Sequence, residues 1–267
     1  MTDPVVEEPA VLLAIDGPIA TVTLNRPKSL NALDFAMGEA LDAAITAVAA
    51  KPEVRVMILG GAGRAFMGGG DLKVFHRDLP GAPATADALI KLFHRIIRGL
   101  RALPIPVLGA TQGAVAGGGL GLAMATDLVI AADDAKFVPA YGAIGTSPDG
   151  GTSWSLTQLL GTRRAMAALM LGDMIDAPTA LALGMVNRVV PRAELEAEVQ
   201  KTAQRLAAGA PGALAKAKAL VYAAATSALD PHLEREHAGF HASAGTADFR
   251  EGINAFFERR PARFTGK

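Results

Sequence analysis

From Ala102 to Thr126 the chain carries no charged side chain, and Arg101 and Asp127 bound the run on either side. A helix that crosses a bilayer takes roughly 20 apolar residues, so length alone admits a membrane span. The contents argue otherwise. Pro104, Pro106, Gln112 and the consecutive glycines Gly117, Gly118 and Gly119 interrupt the run. Proline removes a backbone donor, and both proline and glycine weaken a helix interior. The stretch therefore reads as a buried strand, a glycine loop and a helix, folded inside a protein rather than a membrane.

The flanking pattern supports alternating strands and helices. Val11–Ile15 and Ile19–Leu24 are β-rich runs joined at Asp16-Gly17, a hairpin signal. Leu33, Met37, Leu41, Ile45 and Val48 recur at helical spacing, with Asn31 or Asp34 as N-cap. Val54–Leu59 is a short apolar strand, Ala84–Leu103 a helix stopped by Pro104, and Val107–Ala110 a buried strand. Gly118–Thr126 follows as helix and Leu128–Ala132 as strand. From Trp154 onward the pattern is helical apart from Val186–Val190, with helices expected over 193–208, 212–226, 230–243 and 246–259. Such alternation predicts an α/β layered fold, divided here into a core over 1–200 and a helical region over 201–267.

Composition narrows the partners. The chain has 267 residues, with 26 basic and 26 acidic side chains. That balance gives no electrostatic case for nucleic acid or an anionic membrane. Cysteine is absent, which removes disulfides, thiolate nucleophiles and thiolate metal sites and fits a reducing, cytoplasmic compartment. The opening MTDPVVEEPA is acidic and lacks a basic-then-apolar targeting pattern. His94 falls in the expected helix 84–103, on a semi-apolar face where a lone histidine is usually packed. The other four histidines have no metal-ligand spacing, so no metal site is expected.

Two glycine clusters carry the chemistry. One is Ala65-Phe66-Met67-Gly68-Gly69-Gly70-Asp71-Leu72-Lys73, after a strand; the other is Gly117-Gly118-Gly119-Leu120-Gly121, between a strand and a helix. Glycine allows close backbone approach to a ligand, and amides at a helix N-terminus point outward with partial positive charge. Two such amides converging from separate loops form an oxyanion hole. Neither cluster fits a nucleotide-phosphate loop, and Gly145-Thr146-Ser147-Pro148-Asp149 is not a nucleophile elbow.

Four blocks, in order, resemble those of the enoyl-CoA hydratase/isomerase (crotonase) family. They are Asn25-Arg26-Pro27 with Asn31-Ala32-Leu33; Ala65-Phe66 with Gly70-Asp71-Leu72; Gly113 with Gly117-Gly118-Gly119; and Arg250-Glu251-Gly252 with Ala255-Phe256, Arg260-Pro261 and Phe264. The resemblance implies a crotonase-like spiral of ββα units with a C-terminal helical trimerisation region, assembled as homotrimers or homohexamers. It implies an acyl-CoA thioester as substrate, so that coenzyme A arrives with the substrate and no separate cofactor is called for. It implies that the amides of Gly70 and Gly118 bind the thioester oxygen. Ala65, Gly68, Gly70, Asp71, Leu72, Lys73, Gly118 and Tyr141 would line the CoA and acyl site. Phe264 and Lys267 would approach CoA from a neighbouring subunit.

The departures from the family pattern decide the chemistry. Family hydratases use two glutamates; this chain has Gly121 and Tyr141 at those positions. One acid stands nearby instead: Asp149, in Ser147-Pro148-Asp149-Gly150-Gly151. Its position resembles the catalytic aspartate of single-aspartate acyl-CoA isomerases and of aryl-CoA dehalogenases. A lone carboxylate suits proton shuttling and therefore double-bond isomerisation. The alternatives are enoyl-CoA hydration by Asp149 alone, nucleophilic attack by Asp149 on an aryl-CoA or thioester, with His94 serving deacylation, and a non-enzymatic interaction protein on the same fold. The competing reading of Asp149 itself is a loop residue that caps the helix around Trp154. Tyr141 reads as a pocket-lining residue, Asp71 as a group that fixes its loop, and Met67 as packing.

Overall fold

A computed structural model describes residues 8–267; the first seven, part of the segment read for a targeting signal, lie outside it. The hairpin forms as expected. β1 (Val11–Asp16) and β2 (Ile19–Leu24) pair antiparallel, with Val11 opposite Leu24 and Asp16 opposite Ile19. α1 (Phe35–Ala49) is capped by Asp34, whose carboxylate accepts from the Met37 amide at 2.9 Å. Asn31, the other candidate cap, is buried elsewhere and serves the site described below.

The chain then winds in repeated turns. β3 (Val56–Gly61) is followed by α2 (Leu72–His76) and α3 (Ala82–Ala102). β4 (Val107–Thr111), β5 (Ala114–Ala116) and α4 (Gly118–Met124) make the next turn. β6 (Leu128–Ala132), β7 (Lys136–Val138), α5 (Thr152–Leu160) and α6 (Thr162–Leu171) make another. β8 (Ile175–Asp176), α7 (Ala177–Ala182) and β9 (Arg188–Val190) close the series. In each later turn the first strand joins one sheet and the second joins another. The larger sheet runs β1-β2-β3-β4-β6-β9 and the smaller β5-β7-β8. Two single bridges, Leu33 to Gly70 and Met67 to Val115, continue the smaller stack through the earlier turns. This is a spiral of ββα units.

The uncharged stretch thus divides into β4, β5 and α4. Among the described residues no helix is long and apolar enough to cross a membrane. β4 and β6 sit inside a parallel array covered on both faces, which explains their continuous apolar sequence. β3 shows the layering well. Met57 and Leu59 point into the cluster formed with α1 and α3, whereas Val56 and Ile58 meet Leu195, Val199, Ala203 and Ala207 of α8 (Leu195–Ala207). The 200/201 division therefore falls inside a helix that packs on the sheet.

α9 (Pro211–Ala224), α10 (Leu229–Ala244) and α11 (Ala247–Glu258) complete the helical last third. α9 is fastened to the core by Lys218. Its ammonium meets Asp127 at 2.8 Å and donates to the carbonyls of Leu100 and Ile105. The Arg101 guanidinium stacks 3.7 Å from the Tyr222 ring and 4.7 Å from Trp154, linking α9 to α5.

Candidate active site

The first glycine loop is held from beneath by two buried amides. Asn31, fully buried, accepts from the Arg26 amide at 2.8 Å and donates to the carbonyls of Ala65 at 2.9 Å and Phe66 at 3.1 Å. Gln112 donates to the carbonyls of Gly61 and Ala65. Buried amides of this kind fix a loop because leaving them unpaired would be costly. At the loop's far end Asp71 accepts from the Lys73 amide at 3.1 Å, capping α2, and pairs with Arg26 at 3.1 Å. Its carboxylate is thus occupied in holding the turn. From sequence Gln112 is only an interruption of an apolar run, and Asn31 a candidate cap and a member of a family-like block. For Gln112 the available signal was a polar amide inside a long apolar segment.

The two glycine loops lie directly against each other. The Met67 amide donates to the Ala114 carbonyl at 3.1 Å, and the Ala116 amide donates to the Met67 carbonyl at 2.9 Å. Gly69 has φ +101° and packs so close that a Cβ there would sit 3.1 Å from the Ala116 carbonyl. A Cβ on Gly119 would collide with the Met67 carbonyl. Only residues without side chains allow this approach. On either side of Gly70 the backbone is committed: the Leu33 amide donates to the Gly69 carbonyl and the Asp71 amide to the Leu33 carbonyl, both at 2.8 Å. Among the described residues, the N–H groups of Gly70 and Gly118 themselves make no hydrogen bond. Two free amides on adjoining loops are what a thioester oxygen requires.

The remaining candidate CoA-site residues separate by depth. Ala65 is buried and its carbonyl is taken by Asn31 and Gln112. The Gly68 amide is taken by the Leu30 carbonyl at 2.8 Å. Leu72 and Lys73 are exposed at the start of α2, and a Cβ on Gly70 would meet nothing within 4 Å. The open edge of the loop therefore runs from Gly70 to Lys73.

The turn that carries Asp149 packs near the second glycine loop. A Cβ on Gly118 would rest 3.5 Å from the Phe93 ring, and a Cβ on Gly150 would collide with that same ring. Phe93 is therefore a shared wall between the Gly118 amide and the turn that carries Asp149. Its helix neighbour His94 is near enough for its charge to act on Asp149. Asp149 does not cap α5: the N-cap is Gly151, with no side-chain bond. Instead its Oδ1 accepts from the Tyr141 hydroxyl at 2.9 Å, and that hydroxyl lies 2.9 Å from the Thr152 Oγ1. Burial raises the Asp149 carboxyl above the ordinary carboxylate range, opposed first by the Tyr141 hydrogen bond and then by His94. Burial, reinforced by the Asp149 charge, holds the Tyr141 phenol protonated.

Gly121, where the family resemblance places a hydratase glutamate, has no room for a side chain. A Cβ there would lie 2.6 Å from Thr152 Oγ1 and 3.1 Å from the Gly150 carbonyl. Thr152 and Phe93 were not singled out from the sequence, because neither a buried threonine nor a helix phenylalanine signals a site by itself.

Residues 14–267 match the Enoyl-CoA hydratase/isomerase family. The chain belongs to the enoyl-CoA hydratase/isomerase family. It is 36% identical over 258 residues to the 1,2-epoxyphenylacetyl-CoA isomerase of Escherichia coli, covering 96% of this chain and 98% of that one. It is 37% identical over 251 residues to a protein of Rhodobacter capsulatus named "Probable enoyl-CoA hydratase", covering 93% of this chain and 95% of that one. A crystal structure of an enoyl-CoA hydratase from a Polaromonas species superposes with a TM-score of 0.92 at 35% identity, covering 96% of this chain and 99% of that one. Family membership accounts for the ββα spiral and for acyl-CoA hydratase/isomerase activity as a class. The relatives' names divide between isomerase and hydratase, so the choice between them turns on the carboxylates.

Proposed function

We propose that this enzyme isomerises the double bond of an unsaturated acyl-CoA, with Asp149 as the sole proton shuttle. The thioester oxygen sits between the amides of Gly70 and Gly118, which stabilise the enolate as charge develops on it. Each such donor contributes roughly 3–4 kcal/mol in the transition state. Asp149 removes a proton from the carbon next to the thioester, and the electron pair delocalises into a dienolate. The same carboxyl then returns the proton two carbons further along. The CoA moiety lies along Gly70–Lys73, over the loop whose base includes Ala65 and Gly68, and Tyr141 closes the acyl side.

One observation carries this reading: Phe93 packs against both Gly118 and the turn that holds the desolvated Asp149 carboxylate, and both hydratase glutamate positions lack an acid. Hydration needs a second group to position and activate water, and the Gly121 site is closed to one. Gly121→Glu is therefore expected to create no hydratase. Gly121→Ala should cost about 1–2 kcal/mol of stability by overpacking against Thr152 and Gly150, measured by urea denaturation. Full stability in Gly121→Ala would show that the site is open after all.

The reaction class is tested by incubating a panel of aliphatic and aromatic acyl-CoAs in 18O-water and analysing products by mass spectrometry. Isomerisation changes retention time at constant mass. Hydration adds labelled water, which would overturn the proposal. Attack by Asp149 on an aryl-CoA or thioester would place 18O in the released product and equally overturn it. RNA binding without any turnover would favour a non-enzymatic role.

The proposal includes assembly into homotrimers or homohexamers. Phe240, Phe256 and Phe257 on α10 and α11 are each more than 70% exposed, as are Met170 and Leu171 at the end of α6. Large apolar side chains exposed in this way are covered in stable oligomers. Light scattering at micromolar concentration should give three or six times the chain mass of 27.4 kDa; a monomer would contradict it.

A further inference from the structure

We infer that Tyr141 and Thr152 form a hydrogen-bonded relay that positions Asp149 and keeps it ionised, so that Tyr141 is a positioning residue and not merely a wall of the acyl pocket. The inference rests on the proposed role of Asp149 as the base. The Tyr141 hydroxyl has one proton, and an ionised carboxylate can only accept. The Tyr141 hydroxyl therefore donates to Asp149 Oδ1, 2.9 Å away, and the contact to Thr152 must run the other way, with Thr152 donating to Tyr141. Thr152 is fully buried. Its hydroxyl occupies the space beside Gly121, so the missing side chain at 121 is what makes room for the relay.

The arrangement addresses a specific difficulty. A carboxylate moved out of water tends to protonate, and a protonated Asp149 cannot accept a substrate proton. A donor held on Oδ1 offsets part of that cost and leaves Oδ2 for the substrate. The groups that face Asp149 are few. Tyr141 approaches from the turn before it, and His94 on α3 lies within electrostatic reach of it. Neither α4 nor α5 carries a titratable side chain. Tyr141 is suited to its part because its phenol is itself held protonated at neutral pH.

The test is the pH dependence of Tyr141→Phe and Thr152→Val, both close in shape to the native residues. In Tyr141→Phe the acid limb of kcat/KM should move up by about one pH unit, since a hydrogen bond to a charged group is lost. Activity should recover toward the wild-type plateau at higher pH. Thr152→Val should move the limb in the same direction by less. The Asp149 carboxyl is read independently by 13C NMR titration of protein labelled at aspartate, with Asp149→Asn assigning the signal. Its titration in Tyr141→Phe should shift upward with the kinetic limb. An unchanged limb and an unchanged carboxyl titration in both variants would overturn the relay. Should Asp149→Asn itself retain full turnover, the base assignment fails instead, whatever the Tyr141 variant shows.

Discussion

Asp149→Asn is expected to lower isomerase turnover by about 10³- to 10⁴-fold, the upper range for removal of a general acid–base group. The substitution keeps the size of the side chain and lets Tyr141 still donate to an oxygen. It removes only the ability to take up a proton. Binding should survive nearly intact, because the thioester and CoA contacts lie with the backbone of Gly70–Lys73 and with Gly118. Steady-state kinetics on the best substrate from the acyl-CoA panel, paired with calorimetric titration of the same thioester, separates the two effects. Wild-type kcat in the variant would move the base elsewhere, with His94 the next candidate on geometric grounds.

Gly118→Pro is expected to lower kcat by about 10²- to 10³-fold, near 3 kcal/mol, through loss of one oxyanion donor. The choice of proline follows from the local structure. Gly118 is the first residue of α4, and proline is well accepted there because its missing N–H has no helical partner. A Cβ at Gly118 would find Phe93 at 3.5 Å and Met67 at 3.9 Å, ordinary contact distances. The variant should therefore fold, and circular dichroism with thermal denaturation checks that it does. Gly118→Ala is the control: it adds the Cβ and keeps the amide. A folded proline variant with wild-type kcat would remove Gly118 from the oxyanion hole.

Most of the larger sheet's strands and the long helices could be read from sequence because the strands are short apolar runs and the helices are strongly periodic, while the spiral came from the family resemblance. The limits of α3 and of α8–α11 were readable to within about two residues for that reason. The smaller sheet was not readable. β5, β7 and β8 have two or three residues each, too few to show a period, and they exist because successive turns of the spiral stack in register. The early turns contribute only the bridges at Leu33–Gly70 and Met67–Val115, and these are what bring the two glycine clusters together. Sequence order alone leaves those clusters apart. At the site, the glycine clusters stood out by type and spacing, and Asp149 through the family resemblance. The Tyr141–Thr152 relay, the Phe93 wall and the closure of Gly121 depend on side chains distant in sequence meeting in space. Asn31 shows the same limit in reverse: an asparagine next to a helix start resembles a cap, yet its burial commits it to the loop carbonyls of Ala65 and Phe66.

The central claim is that Asp149 breaks a carbon–hydrogen bond next to the thioester. It is tested most directly with a β,γ-unsaturated acyl-CoA deuterated at its α carbon, incubated separately with wild type and Asp149→Asn and followed by NMR. The account predicts that the wild-type enzyme breaks the carbon–deuterium bond, with deuterium appearing two carbons away or in water, while Asp149→Asn leaves the label in place. Loss of label at the wild-type rate with Asp149→Asn, or a label that stays in place with the wild-type enzyme on every substrate it binds, would contradict it.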